Sequence, residues 1–102
     1  LNNLTAIIDR NRLQSIEDTE TTLKLEPLSE KFLSFNWDVE IIDGHDHNQI
    51  FNSLSNISEE KPKLIIANTK KGNGISFMEN KVVWHYRSPS VEDVIKARGE
   101  LN

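Results

Sequence analysis

Three apolar, largely β-branched runs punctuate the chain: LTAIID at 4–9, WDVEIID at 37–43 and KLIIANT at 63–69. Each has the length of a strand and ends at polar residues or glycine, the pattern of strands closed by turns. The first and third are almost continuously apolar, as strands covered on both faces are. Three other stretches repeat apolar residues at helical spacing. In EPLSEKFLSFN (26–36) these are Leu28, Phe32, Leu33 and Phe35, with Pro27 suited to a first turn. In DHNQIFNSLSNI (46–57), Ile50, Phe51, Leu54 and Ile57 share one face behind an Asp46 N-cap. In SPSVEDVIKARGEL (88–101) the stripe is Val91, Val94 and Ile95, and Ser90 with Asp93 makes a carboxylate variant of the capping box. EDTETT (17–22) reads as a polar surface loop.

Strands therefore alternate with helices, which implies right-handed crossovers and a parallel α/β sheet with flanking helices. Such sheets bind ligands beyond the carboxyl ends of their strands. Here those ends read IIDRNRLQ, IIDGHDH and ANTKKGNG, and all three carry polar groups or glycines.

Composition narrows the picture. The chain has 102 residues, 36% hydrophobic and 27% charged, with a formal net charge of −4. That is one domain or a part of one, and the absence of a basic balance argues against nucleic-acid binding. No apolar run reaches the length of a membrane span. With no cysteine there is no disulfide and no thiolate metal site, which is compatible with the cytoplasm. The abrupt start at Leu1, almost directly in an apolar run, reads as a single partial domain over 1–102 of something longer.

Each strand end has a chemical reading and a plainer one. Asn11 offers an amide oxygen, a hard ligand suited to Mg²⁺ or Ca²⁺, or it is a turn residue after a strand. Asp43-Gly44-His45-Asp46 supplies ligands or a base, or else forms a tight turn with Gly44 at positive φ and Asp46 capping the helix. Lys70-Lys71-Gly72-Asn73-Gly74 resembles a backbone cradle for phosphate, although no Gly-Lys-Ser/Thr follows as in a Walker loop. Trp84-His85 is a site pair, or an aromatic packed beside a histidine.

In this order, the segments IIDRNRLQ, LEPL, IIDGHD, KLIIANTKKGNG, SFMEN and the closing WH resemble the N-terminal section of transketolase, from about Leu1 to Pro89. The resemblance implies the thiamine-diphosphate-binding fold, here the C-terminal part of its diphosphate-binding domain. It implies an enzyme that transfers a two-carbon ketol unit between sugar phosphates, with thiamine diphosphate held through Mg²⁺ or Ca²⁺. Carried over by motif, Asn11 and the Leu13 carbonyl correspond to metal ligands. Gly72 and Gly74 correspond to the cofactor-binding loop. His85 corresponds to a histidine that lies near the cofactor and assists proton transfer. The resemblance further implies that the partner is a pyrimidine-binding domain or subunit, in a homo- or hetero-oligomer such as a dimer. It implies little activity or cofactor binding by these 102 residues alone.

Two positions depart from the family pattern. Ile16-Glu17 stands where Asp-Gly is usual, and Tyr86 where a glycine usually follows the histidine. These leave open a specialised homologue acting on another acceptor, or a non-catalytic subunit that serves assembly.

Overall fold

The computed structural model describes residues 1–56, 58 and 60–102. Its elements run β1 (Thr5–Arg10), α1 (Thr19–Thr22), α2 (Leu28–Ser34), β2 (Asp38–Asp43), α3 (His47–Ser55), β3 (Lys63–Asn68), a 3₁₀ turn (Val82–His85) and α4 (Val91–Leu101). The three strands form a parallel sheet in the order β1-β3-β2, as the alternation of strands and helices requires.

β3 is central. Lys63 through Ala67 are buried, and Leu64 and Ile65 are almost wholly inaccessible. Alternate residues feed two cores. Leu64 and Ile66 pack with Leu28 of α2 and with the partly buried Ala6, Ile8, Phe32, Trp37 and Val39. Ile65 and Ala67 pack with Ile42 and Ile50. Phe32 and Trp37 meet edge to face, with ring centroids 5.6 Å apart.

The helix termini follow local chemistry. Asp46 caps α3 by accepting from the N–H groups of Asn48 and Gln49, and Ser90 and Asp93 form the reciprocal capping box of α4. α2 ends where Asn36 takes a left-handed φ of 66°, and the Asn36 and Trp37 N–H groups close on the Leu33 and Phe32 carbonyls at 3.0 and 3.2 Å.

Several expectations change. Residues 17–22 are not simply a loop, because Asp18 caps the short α1. Pro27 precedes α2 as its N-cap rather than entering the first turn. β1 is not covered on both faces: it is an edge strand, and Ile7 is 57% exposed on the face that α3 shares. The apolar stripe of α4 is exposed as well, Val91 and Ile95 strongly so. Ile57, expected on the face of α3, lies outside the described residues.

Two buried cations sit at opposite ends of the sheet. Arg10, at the carboxyl end of β1, is 4% exposed. It donates to Glu26 at 3.0 and 3.2 Å, to Glu20 at 2.9 Å and to Thr19 Oγ1 at 2.8 Å. Glu26 also accepts the Leu28 N–H at the start of α2. That bond first, and Arg10 second, hold its carboxyl below the ordinary 4.5. Lys63, at the start of β3, is 3% exposed. Its Nζ donates to the Ser53 and Asn56 carbonyls at 2.6 and 2.7 Å and pairs with Glu40 at 2.8 Å. The last carbonyls of α3 thus receive a cation where the helix dipole is negative. Lys63, then Ser53, lower the Glu40 carboxyl.

Replacing Lys63 with Met keeps the stem and removes the charge. It leaves Glu40 and two helix carbonyls without their donor, and should cost about 2–4 kcal/mol in urea denaturation. Because the folded-state pKa of Glu40 is depressed, its contribution is present above the ordinary 4.5 and is lost as pH falls through the lower folded value. Stability measured from about pH 6 downward should therefore fall less steeply in Lys63→Met than in the parent. An equal slope in the two proteins would show that the pair does not stabilise the fold.

Candidate functional site

The carboxyl ends of all three strands lie at one edge. The Thr69 N–H donates to the Arg10 carbonyl at 3.3 Å, and the Gly44 N–H to the Asn68 carbonyl at 2.8 Å. Thr69 Oγ1 also makes a very short hydrogen bond to Asp9. Gly44 does not take the positive φ that its turn position suggested. What it provides is space: a Cβ there would strike the Thr69 Cγ2 and lie 3.1 Å from the Ala67 Cβ.

After β1 the chain turns at Arg12, whose φ is 63°. Asn11 Oδ1 accepts the Leu13 N–H at 2.9 Å, so Asn11 is a turn-forming residue. One hydrogen bond leaves its amide oxygen a second lone pair, and the two readings of Asn11 are compatible. Leu13 bridges to Asp18 as an isolated antiparallel pair, and Thr19 donates to the Arg12 carbonyl. The Asn11–Gln14 segment is therefore tied down on both sides.

After β3 the chain enters the glycine loop. Gly72 has φ 69° and Gly74 φ 88°. A Cβ at Gly72 would lie 2.8 Å from backbone atoms of Met78, so this glycine is required by both torsion and space. The loop closes through the Asn80 N–H, which donates to the Lys71 carbonyl at 2.9 Å. Glu79 stitches it internally, accepting from the Gly74 N–H at 3.2 Å and pairing with Lys70 at 3.3 Å. Those two contacts, in that order, lower the Glu79 carboxyl.

The loop ends in the 3₁₀ turn that carries His85. Trp84 Nε1 donates to the Phe77 carbonyl at 3.1 Å, and the two rings meet 5.6 Å apart. The Arg87 guanidinium lies 4.7 Å from the centre of the Trp84 ring. Trp84 is thus the anchor that the Trp-His pair suggested. α4 fastens the same loop from outside. Glu100 accepts from the Ser76 N–H and, at 2.8 Å, from its hydroxyl, and Lys96 lies 4.8 Å over the Phe77 ring.

The result is a small cavity of about 110 Å³ walled by Asn11, Leu13, Gln14, Lys71 and His85. Three of the residues expected to act together meet here: Asn11, Leu13 and His85. Gly72 and Gly74 shape the adjoining turn and are not on the wall. Gln14 and Lys71 are. Lys71 was legible as part of the Lys-Lys-Gly run, whereas nothing in the sequence singled out Gln14. The wall combines amide oxygens, an ammonium and an imidazole without a carboxylate, which suits an anionic group. Ligand pockets ordinarily measure roughly 300–1,000 Å³, so a cavity of this size takes one end of a ligand. Two neutral oxygens, from Asn11 and the Leu13 carbonyl, fit a hard cation as part of its shell and do not complete one. Among the described residues no cluster of three His, Cys, Asp or Glu could hold a metal. No helix there is long and apolar enough to cross a membrane.

A parallel sheet with an anion-suited cavity beyond its strand ends is the arrangement of a phosphate- or diphosphate-binding α/β domain. The family model described as "Transketolase, thiamine diphosphate binding domain" matches residues 1–101. One of the two subunits named for apulose-4-phosphate transketolase, from Phocaeicola vulgatus, is 38% identical over 104 residues, which cover 100% of this chain and 37% of that protein. A 6-deoxy-6-sulfo-D-fructose transketolase subunit of a Clostridium species is 38% identical over 87 residues, covering 83% of this chain and 32% of that protein. The crystal structure of transketolase from Campylobacter jejuni superposes with a TM-score of 0.86 at 26% identity, covering 98% of this chain and 16% of that one. The chain belongs to the transketolase thiamine-diphosphate-binding domain family, and it spans about a third of the length of these subunit relatives.

Two glycines make opposite predictions. Gly72→Ala should destabilise the loop by about 1 kcal/mol or more, the cost of forcing alanine to positive φ before the clash is added. Limited proteolysis should then cut within residues 70–80 faster than in the parent. Gly99 lies within α4 with open space where a Cβ would stand, so Gly99→Ala should raise stability by about 0.5–1 kcal/mol. Thermal melting compares the two directly, and a neutral Gly72→Ala would show the loop to be freely adaptable.

Proposed function

We propose that the chain is part of a thiamine-diphosphate-dependent enzyme that transfers a two-carbon ketol unit between sugar phosphates. One observation supports this above others: in a member of this family, Asn11, Leu13, Lys71 and His85 wall a single cavity at the carboxyl edge of the sheet. Asn11 Oδ1 and the Leu13 carbonyl would supply two oxygens to Mg²⁺ or Ca²⁺ beside the cofactor diphosphate. Lys71 adds positive potential there, and the turn of Gly72 and Gly74 brings backbone close to the diphosphate. His85 would hold or release a proton at its imidazole, where the substrate oxygen meets the cofactor. When bound, thiamine diphosphate supplies the nucleophilic carbon, and the protein supplies orientation and charge. The remaining ligands and the cofactor's pyrimidine end would come from a further domain or subunit of a dimeric or larger assembly in the cytoplasm. Relatives that are named as transketolase subunits support such a division of the site.

A specialised acceptor is favoured over the general sugar phosphates by a particular feature. Tyr86, 72% exposed, directly follows His85, where it narrows access to the imidazole. Ile16, 82% exposed, lies in the loop after the Asn11 turn. Relatives named for apulose-4-phosphate and for 6-deoxy-6-sulfo-D-fructose are in keeping with acceptors of that kind.

The test uses the complete enzyme. His85→Ala should lower turnover by about 10²- to 10⁴-fold, the usual contribution of a proton-transferring group, with little change in cofactor affinity. Asn11→Ala should do the converse, weakening cation-dependent binding of thiamine diphosphate more than turnover at saturation. Full turnover in a folded His85→Ala enzyme would remove the catalytic role assigned to this residue. His85→Ala combined with Tyr86→Phe separates the imidazole from any proton supplied by the neighbouring phenol.

A further inference from the structure

The β2–β3 ladder does not stop where its backbone does. Its last rung between main chains is the Gly44 N–H on the Asn68 carbonyl, at 2.8 Å. Beyond Gly44 the chain turns into α3, whose cap is Asp46, so β2 has no further carbonyl to offer. β3 continues, and the next N–H facing that side belongs to Lys70. It donates to His45 Nε2 at 2.8 Å. The imidazole takes the place of a strand carbonyl and adds one rung. To accept there, Nε2 must be unprotonated, which puts the ring proton on Nδ1.

The turn that delivers this imidazole is itself fixed. Asp43 Oδ1 accepts the His45 N–H at 2.9 Å, and Asp43's own N–H donates to Gln49 Oε1 at 2.9 Å. Gly44 lets the turn lie against Thr69 and Ala67. The target is equally well connected. Lys70 precedes Lys71, the cation on the cavity wall, and Lys71's carbonyl closes the glycine loop by accepting from Asn80. The peptide between Thr69 and Lys70 therefore sets the direction in which Lys71 leaves the sheet.

We propose that His45 is a positioning residue: its Nε2 holds the Lys70 peptide and thereby aims Lys71 into the cavity, without touching the ligand. The effect on thiamine diphosphate rests on the function proposed above, whereas the effect on the Lys70 peptide does not.

The experiment compares His45→Gln, His45→Asn and His45→Phe in the full-length protein together with its partner. His45 is exposed, so all three variants should fold. A glutamine oxygen reaches the place of Nε2, an asparagine oxygen only that of Nδ1, and phenylalanine accepts nothing. Hydrogen exchange at the Lys70 amide should rise about two- to tenfold in the Asn and Phe variants, the worth of one net hydrogen bond. Exchange in the Gln variant should stay near the parent rate. The concentration of thiamine diphosphate giving half-maximal activity should rise by a similar factor in Asn and Phe only, with turnover at saturating cofactor within about twofold of the parent. Unchanged exchange in Asn and Phe, or a Gln variant that behaves like Asn, would overturn the positioning role. Faster exchange with unaltered cofactor affinity would overturn the aiming of Lys71. If Asn11→Ala and His85→Ala leave cofactor binding and turnover intact, the cofactor assignment itself fails, and the exchange measurement still decides whether His45 holds the peptide.

Discussion

β3 is hydrogen-bonded on both edges and buried on both faces, and the remaining structure depends on its placement. A buried segment of this kind has no water to satisfy its peptide groups, so β1 and β2 must both pair with it. Pairing fixes the register, and register decides which side chains meet. Arg10, Asn68 and Asp43 share one level across the sheet. The three polar turns that follow then leave from that same level.

Buried charge secures both ends of this arrangement. Lys63 and Arg10 would be costly inside an apolar core without partners. Each is instead enclosed by carboxylates and oxygen acceptors from the segments beside it. Arg10 draws the α1 segment and the start of α2 onto the carboxyl edge, because Glu20, Glu26 and Thr19 all converge on it. The Asn11–Gln14 segment lies between, and its geometry follows from that clamp. Among the described residues no buried side-chain polar atom lacks a partner.

The glycine loop is held differently. It has little contact with the sheet and derives its shape from its own turns, from the Phe77–Trp84 cluster, and from α4. That helix exposes its apolar stripe and grips the loop with polar ends, Glu100 on Ser76 and Lys96 on Phe77. His85 is carried by a segment whose order comes from these few contacts. Lys71 and His85 bracket the loop, so any shift of it moves both walls of the cavity together.

Much of this was legible in the residues. Periodicity gave the strands, the long helices and the parallel topology, since alternating elements of this length admit few other folds. The caps at Asp46 and Ser90 were readable because capping is local chemistry. The motif order carried the family. Tertiary structure alone decided the rest. The exposure of Ile7 depends on β1 being an edge strand, and edge position is a matter of strand order, which periodicity does not encode. α1 is a short helix whose Asp18 cap and Arg10 contacts outweigh its weak intrinsic pattern. Gly44 looked like a torsional glycine and is a steric one, because its neighbour Thr69 belongs to a different strand end, far off in sequence. For the same reason Gln14 on the cavity wall, and His45 as the last rung of the sheet, could be seen only once strands distant in the chain had been set side by side.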